Sequence, residues 1–379
     1  MLLALCSTLA DTENRSELEE VLGVDAEEAA RFAAELLAEP HPLLAAGAGL
    51  WMRPLGSMPA VEKWMAELPA VVTAGDIPTQ DALDAWAAER TQGLIEHFPV
   101  AVTPDLVFLL ATALATRISW EQPFEVVAAS ELAPSPWASD LQQILRSPRH
   151  DSRHRQYITD TDRAGTVCVH LTGARGGMLV GSVIATDESV PSADVLAAAE
   201  VIVTAEAREP RSVANRSLFD IPLGEGARWT ISEESVDTQS PDGREELIVS
   251  VLPAWSAATT VDLDHKNLGY PAAAHAVRKA LGDPTLKYEA RQSAVARYGA
   301  VGFEAAAITH LAIRISKPRT RPGYRREATL RFGHPFAVVA ATFDDHRSDH
   351  RENPDRWDGL PVFSAWITEA IEAQDPATP

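Results

Sequence analysis

The sequence predicts an α+β chain with its helices first and its strands later. Apolar residues recur at helical spacing through the first third, while Val-, Ile- and Thr-rich runs broken by Gly and Pro dominate from about residue 165 onward. There is no repeating strand–helix–strand alternation, which argues against a doubly wound α/β sheet.

Taken in order, Leu2, Leu3, Leu5 and Leu9, then Leu18, Val21 and Leu22, mark the first helical faces, followed by an Ala/Glu/Leu-rich stretch from Val24 to Leu37. Asp11 and Thr12 supply capping oxygens for the second helix. Further helices are expected at Val61–Leu68 and Ala82–His97. Beyond Pro104, the run Leu106–Ala111 is too short for a membrane span and reads as a strand buried on both faces. Strands are then expected at Thr166–Thr172, Gly177–Ala185, Val201–Thr204, Trp229–Ser232 and Glu246–Leu252. A helix from Tyr270 to Leu281 stops at Gly282, and the last strands are Ala328–Phe332, Phe336–Phe343 and Val362–Ile367. Arg208–Arg216 and Asp344–Asp358 read as polar loops, and 374–379 as a frayed tail.

A net charge of −21 repels polyanions, so neither nucleic acid nor an anionic membrane surface is an expected partner. The two cysteines, Cys6 and Cys168, lack metal-ligand or redox spacing and read as reduced, buried thiols. The short apolar start at Met1 has no basic leading region, so the chain as written reads as cytoplasmic, and as extracellular if a segment precedes it. No nucleophile elbow, zinc-protease motif, Walker loop or dinucleotide fingerprint occurs, so no enzyme activity and no cofactor are expected. The pairs His150/His154 and His346/His350 have helical i, i+4 spacing, but both lie in Arg-rich polar runs that read as exposed loops; no metal is expected there.

The informative region is Gly302 to Phe336. By parity, Phe303, Ala305, Ala307, Thr309, Leu311, Ile313 and Ile315 share one mostly apolar strand face. The segment reads either as an ordinary strand after a Gly turn, or as a strand that can slide between two others, for which its small Ala305, Ala306 and Ala307 are suited. After it, Lys317–Arg326 is basic and broken by Pro and Gly; it reads as a solvated loop or as bait for proteases that cut at basic residues.

Gly302-Phe303-Glu304-Ala305-Ala306-Ala307 resembles the reactive-loop hinge of the serpins, Gly-Thr-Glu-Ala-Ala-Ala. Trp86, Thr91, Gly93 and Ile95 are similar to the family's Trp-x4-Thr-x-Gly-x-Ile, and Ala113-Leu114, Trp120, Pro123 and Phe124 to its central-sheet segment. Phe332–Val339 resembles its Phe-x-x-Pro-Phe strand start, and Gly359–Ile367 its closing strand. These blocks run in the family's order over 2–22, 83–125 and about 292–368.

The resemblance implies a single serpin-like domain over 1–373, with N-terminal helices, a large central mixed β-sheet, smaller sheets and an exposed reactive-centre loop at about 302–327. It also implies that the family's first helix is absent. The implied activity is suicide-substrate inhibition of a serine-type protease by a monomer, the cleaved loop inserting into the central sheet. The alternative is a non-inhibitory binding protein whose loop is cut or docks without trapping a protease. The family's usual loop length puts the scissile bond near Ser316, beside Arg314, Ile315 and Lys317. Trp120 and His334, with Thr112 and Gln292 where the family has a shutter Asn and His, would line the path of sheet opening. Val301 and Phe303 depart from the family's polar hinge, and a buried Phe303 would cost about 1–3 kcal/mol in overpacking.

Overall fold

The computed structural model describes residues 1–39, 41–53, 59–70, 72–91, 93, 95–116, 118–149, 152–283, 285–288, 290–302, 320–343 and 356–374. The chain forms two compact units, Met1–Thr116 with Ala258–Ala296, and Arg117–Ala257 with Arg297–Pro379.

The first unit opens with α1 (Leu2–Ser7), α2 (Thr12–Leu22) and α3 (Ala26–Ala38). The Asp11 carboxylate accepts from Asn14 N at 3.1 Å and Asp25 from Glu28 N at 2.9 Å, so each helix start has an acidic cap satisfying an otherwise orphaned amide. Next come β1 (Leu44–Met52), α4 (Pro59–Glu67), β2 (Val72–Gly75), α5 (Gln80–Arg90) and β3 (Phe108–Thr116). β1 pairs parallel with β2 and antiparallel with β3, Leu50 opposite Leu110 and Trp51 opposite Leu109. Both faces of this ladder are covered. Leu50 packs with Trp64, Leu37 and Leu5, with Leu110 against them, whereas Trp51, Leu109 and Ala111 pack with Leu83 and Trp86. The expected doubly buried strand is therefore present.

The helix expected to run to His97 stops at Arg90. The Thr91 hydroxyl, fully buried, donates to Ala87 O at 2.7 Å and accepts from Ile95 N at 3.0 Å. Gly93 then turns with φ +79°, its amide on Ala88 O. The spacing of Trp86, Thr91, Gly93 and Ile95 is thus a helix stop with the indole in the core. α8 (Tyr270–Leu281) has the expected bounds and lies between β12 (Trp255–Asp262) and β13 (Arg291–Tyr298), which form a two-stranded sheet.

In the second unit, β4 (Glu125–Ala128), α6 (Trp137–Asp140), β5 (Gln143–Arg146), β6 (His154–Thr161), β7 (Gly165–Ala174), β8 (Met178–Ala185) and α7 (Ser192–Arg208) are followed by β9 (Gly224–Glu225), β10 (Trp229–Thr238) and β11 (Arg244–Leu252). β14 (Arg321–Arg331), β15 (Phe336–Thr342) and β16 (Pro361–Ile367) complete it. A six-stranded mixed sheet runs β4-β5-β11-β14-β10-β9, and a five-stranded antiparallel one β16-β15-β8-β7-β6. α7 covers the latter, with Val195, Ala199, Ile202 and Val203 packed on Val169, Val183 and Val339. The fold class is α+β, as the sequence predicts.

Three expectations are corrected. Val201–Thr204 is not a strand but the middle of α7, where flanking alanines favour helix and burial at 195, 199, 202 and 203 follows helical spacing. The basic run after Lys317 is not a solvated loop beyond residue 320, since Arg321–Arg331 is an interior strand between β10 and β11. Its charges are matched across strands: Arg325 pairs with Glu245 at 2.8 Å and Glu234 at 3.2 Å, and Arg326 with Glu233 at 2.9 Å. Finally, His154 is not in an exposed loop; it begins β6 and is buried. Its partner in spacing, His150, lies outside the described residues, as do His346 and His350. Cys6 and Cys168 are both free and buried, burial pushing the Cys6 thiol up to about 12.

Candidate functional site

The candidate site is the end of β13, where the chain leaves the strand through Gly299-Ala300-Val301-Gly302. Phe124 N donates to Ala300 O at 2.8 Å and Trp120 N to Val301 O at 3.3 Å. The indole Nε1 of Trp120 donates to Gly299 O at 2.8 Å, and Ser119 bridges Gly302 in antiparallel fashion. On its other side, the Ser119–Phe124 segment is tied to the end of β7, with Glu121 N on Gly173 O at 3.0 Å and Arg175 N on Ser119 O at 2.9 Å. One short stretch therefore joins the five-stranded sheet to the exit of β13.

Gly302 is required here twice over. Its φ is +81°, and a Cβ would stand 2.4 Å from Ile118 O and 2.8 Å from Ser119 Cα. Beneath the segment lies an aromatic cluster. Tyr298 packs on Trp120 at 4.8 Å and on Phe124 at 5.6 Å, and stacks on Trp255 at 5.5 Å, which in turn stacks on Phe363. Trp120 is almost wholly buried. The aromatics of the sequence thus act as core anchors around the strand exit.

The remaining hinge residues Phe303, Glu304, Ala305, Ala306 and Ala307, and the expected scissile region Arg314, Ile315, Ser316 and Lys317, lie outside the described residues. Thr112 stands in β3 opposite Ala48, and Gln292, in β13, has an exposed side chain. His334 lies in the turn between β14 and β15, its Nδ1 3.5 Å from Glu188 Oε1. Glu188 also binds the buried guanidinium of Arg228 at 2.9 Å; burial, then Arg228, lowers the His334 pKa below the usual imidazole range. Phe332 and Phe336, both fully buried and edge-to-face at 5.5 Å, fix this turn from both ends.

Sequence reasoning missed the partners under Phe124. His154 Nε2 lies 2.7 Å from Gln122 O, and His154 Nδ1 lies 3.3 Å from Nε2 of a second buried imidazole, His170. Phe124 stands edge-on to His154 at 4.7 Å and stacked on His170 at 5.4 Å. The available signal was parity: His170 sits in a run of buried β7 residues, on the same face as Cys168 and Thr172.

Among the described residues no group of side chains has the arrangement to hold a metal ion, and no helix is long and apolar enough to cross a membrane. No family model matches the chain, and no curated protein matches its sequence. Solved structures do. Serpin48 of the insect Tenebrio molitor superposes with a TM-score of 0.56 at 15% identity, over 98% of this chain and 89% of its own. The thermophilic serpin tengpin in its native state gives 0.57 at 12%, over 97% and 86%. Human thyroxine-binding globulin, complexed with thyroxine, gives 0.54 at 14%, over 90% and 86%. With the strand order, the helix stop at Thr91 and Gly93, and Gly302 pinned at the exit of β13, these likenesses identify this chain as a protein of the serpin fold.

Proposed function

We propose that this protein is a serpin-like inhibitor of a serine-type protease, acting as a suicide substrate whose loop is cut and then added to a sheet as a strand. The observation that carries the reading is the root at Gly302: the segment suspected of inserting starts from a glycine held against Ser119, immediately beyond β13. β3 and β13 each end a ladder, so each has an edge with no ladder partner among the described residues. A strand added at such edges gains about 1 kcal/mol net for each backbone hydrogen bond, and serpin loop insertion is itself a standing example of strand addition. Cleavage would fall near Ser316, and a basic-specific protease would use Arg314 or Lys317. The whole 1–373 stretch would act as one serpin-like inhibitor, one molecule per protease.

A second reading, a binding protein that traps no protease, is favoured by the likeness to thyroxine-binding globulin and by the exposed Gln292 at the family's shutter position. Incubation with trypsin-, chymotrypsin- and subtilisin-like proteases separates the two. A covalent complex that survives denaturation supports inhibition. Clean cleavage within 314–317 with no complex refutes it, and an unchanged melting temperature after that cleavage refutes strand insertion as well.

A further inference from the structure

The His154–His170 pair lies directly under the segment that anchors the β13 exit, and its hydrogen bonding fixes where protons can sit. Gln122 O can only accept, so His154 Nε2 carries a proton and donates to it. The neutral His154 ring then accepts at Nδ1 from His170 Nε2–H. His170 Nδ1 is left as a bare acceptor, on a fully buried side chain, with no hydrogen-bond partner among the described residues. A further proton has one destination. Whether it arrives first on His154 or on His170, the shared N···N contact holds one proton, so the surplus ends at His170 Nδ1 as a buried, unpaired N–H.

Among the described residues, the carboxylates next to the pair in the chain or on neighbouring strands are already bound to arginines. On the covering segment, Glu121 is the nearest carboxylate in sequence, and Arg153 binds it at 2.8 Å. Arg155, the next charged residue of β6, is bound to the buried Glu206. Cys168 on β7 and Tyr298 from β13 face this region with ionisations pushed up by burial, so both stay neutral. β8, β15, β16 and residues 247–252 of β11 carry no titratable side chain. Burial first, and His154 second, hold His170 well below the ordinary imidazole range.

Phe124 covers His170 with its stacked ring, and its backbone N–H is the donor that holds Ala300 O. We propose that the His154–His170 pair is an acid-sensitive latch: proton uptake favours a state in which Ser119–Phe124 has lifted from β6 and β7 and released Ala300 and Val301 from the exit of β13. The sign follows from linkage. The closed state keeps His170 neutral, whereas an imidazole exposed to water titrates in the ordinary range near 6.5, so closure is undiminished above that pH and weakens as pH falls below it. The latch is a property of the fold and needs no protease.

Amide hydrogen exchange of Trp120 and Phe124 in the full chain, corrected for the intrinsic pH dependence of exchange, reads the latch directly. Between pH 7.5 and pH 5.5, which stays above the sequence pI near 4.9, protection falls about tenfold for each imidazole that gains a proton on opening. His170→Phe removes at least one such factor, His154→Gln weakens the response while keeping a donor for Gln122 O, and His97→Gln, on an exposed imidazole, leaves it unchanged. Protection that does not depend on pH, or a response equal to wild type in both the His154 and His170 variants, overturns the proposal. If neither variant folds, NMR titration of the unaltered chain decides. A His170 ring that gains its proton at or above pH 6.5 in the folded protein overturns the latch; one that stays neutral to pH 5.5 supports it. None of these readouts involves protease inhibition, so the latch and the inhibitory reading fail separately.

Discussion

Replacing Gly302 by Ala tests whether the β13 exit is held by steric fit or only by a preference for glycine. An L-residue in the left-handed region costs about 1–2 kcal/mol. Gly302 carries a second burden, because a Cβ would lie 2.4 Å from the carbonyl oxygen of Ile118, and that atom belongs to the backbone and cannot rotate away. Either Ser119 or Gly302 must move, which breaks the bridge between them and strains the Trp120 N–Val301 O bond; these add about 1–2 kcal/mol. The expected total is about 2–4 kcal/mol. Gly165, in the β6–β7 hairpin of the same unit, is the control: its φ is +62° and nothing lies within 4 Å of its would-be Cβ. Gly165→Ala should therefore show the conformational cost alone. Urea unfolding of both variants measures the difference. Equal losses for the two substitutions would refute the steric account of the exit.

Two further outcomes follow from buried polar groups. Glu206, at 2% exposure, binds Arg155 at 2.5 Å and accepts from Arg211 N at 2.7 Å and Val213 N at 3.2 Å, so Glu206→Ala should cost about 3 kcal/mol in urea unfolding. A loss under 1 kcal/mol would show the pair to be solvent-screened. Thr91→Val keeps the shape but deletes the hydroxyl between Ala87 O and Ile95 N; it should cost about 1–2 kcal/mol, with Thr91→Ser recovering most of it in the same assay.

What the sequence made legible was what depends on local chemistry. Asp11 through its carboxylate, and Gly282 and the Gly-rich turn before Met178 through their own backbone, act on their immediate neighbours, and each stands where its type predicts. What escaped were decisions taken by tertiary partners. Arg325 and Arg326 look like a solvated basic run until Glu233, Glu234 and Glu245 arrive from strands far away in the chain. β1 was silent because Leu44–Leu50 is mostly Ala and Gly, whose strand propensity is poor, and its pairing with β2 and β3 decides its state. Val201–Thr204 is β-branched enough to suggest a strand, yet the sheet beneath selects the helical face of α7. At the candidate site, the motif around Gly302 drew attention to this exit, while of the imidazoles that underlie it His154 was hidden in an Arg-rich stretch and His170 within the buried run of β7.

The placement of β14 has a consequence for how a nick in this molecule would show itself. Any cut between 303 and 319 divides the polypeptide into a long piece and a short one carrying β14, β15 and β16. Yet β14 is an inner member of the six-stranded sheet, bonded to β10 and β11 along its length, and β15 sits between β8 and β16 in the other. The short fragment is woven through both cores and cannot diffuse away without dismantling them. A nicked molecule should therefore elute from a sizing column as a single undivided particle and fall into two bands only under denaturing electrophoresis.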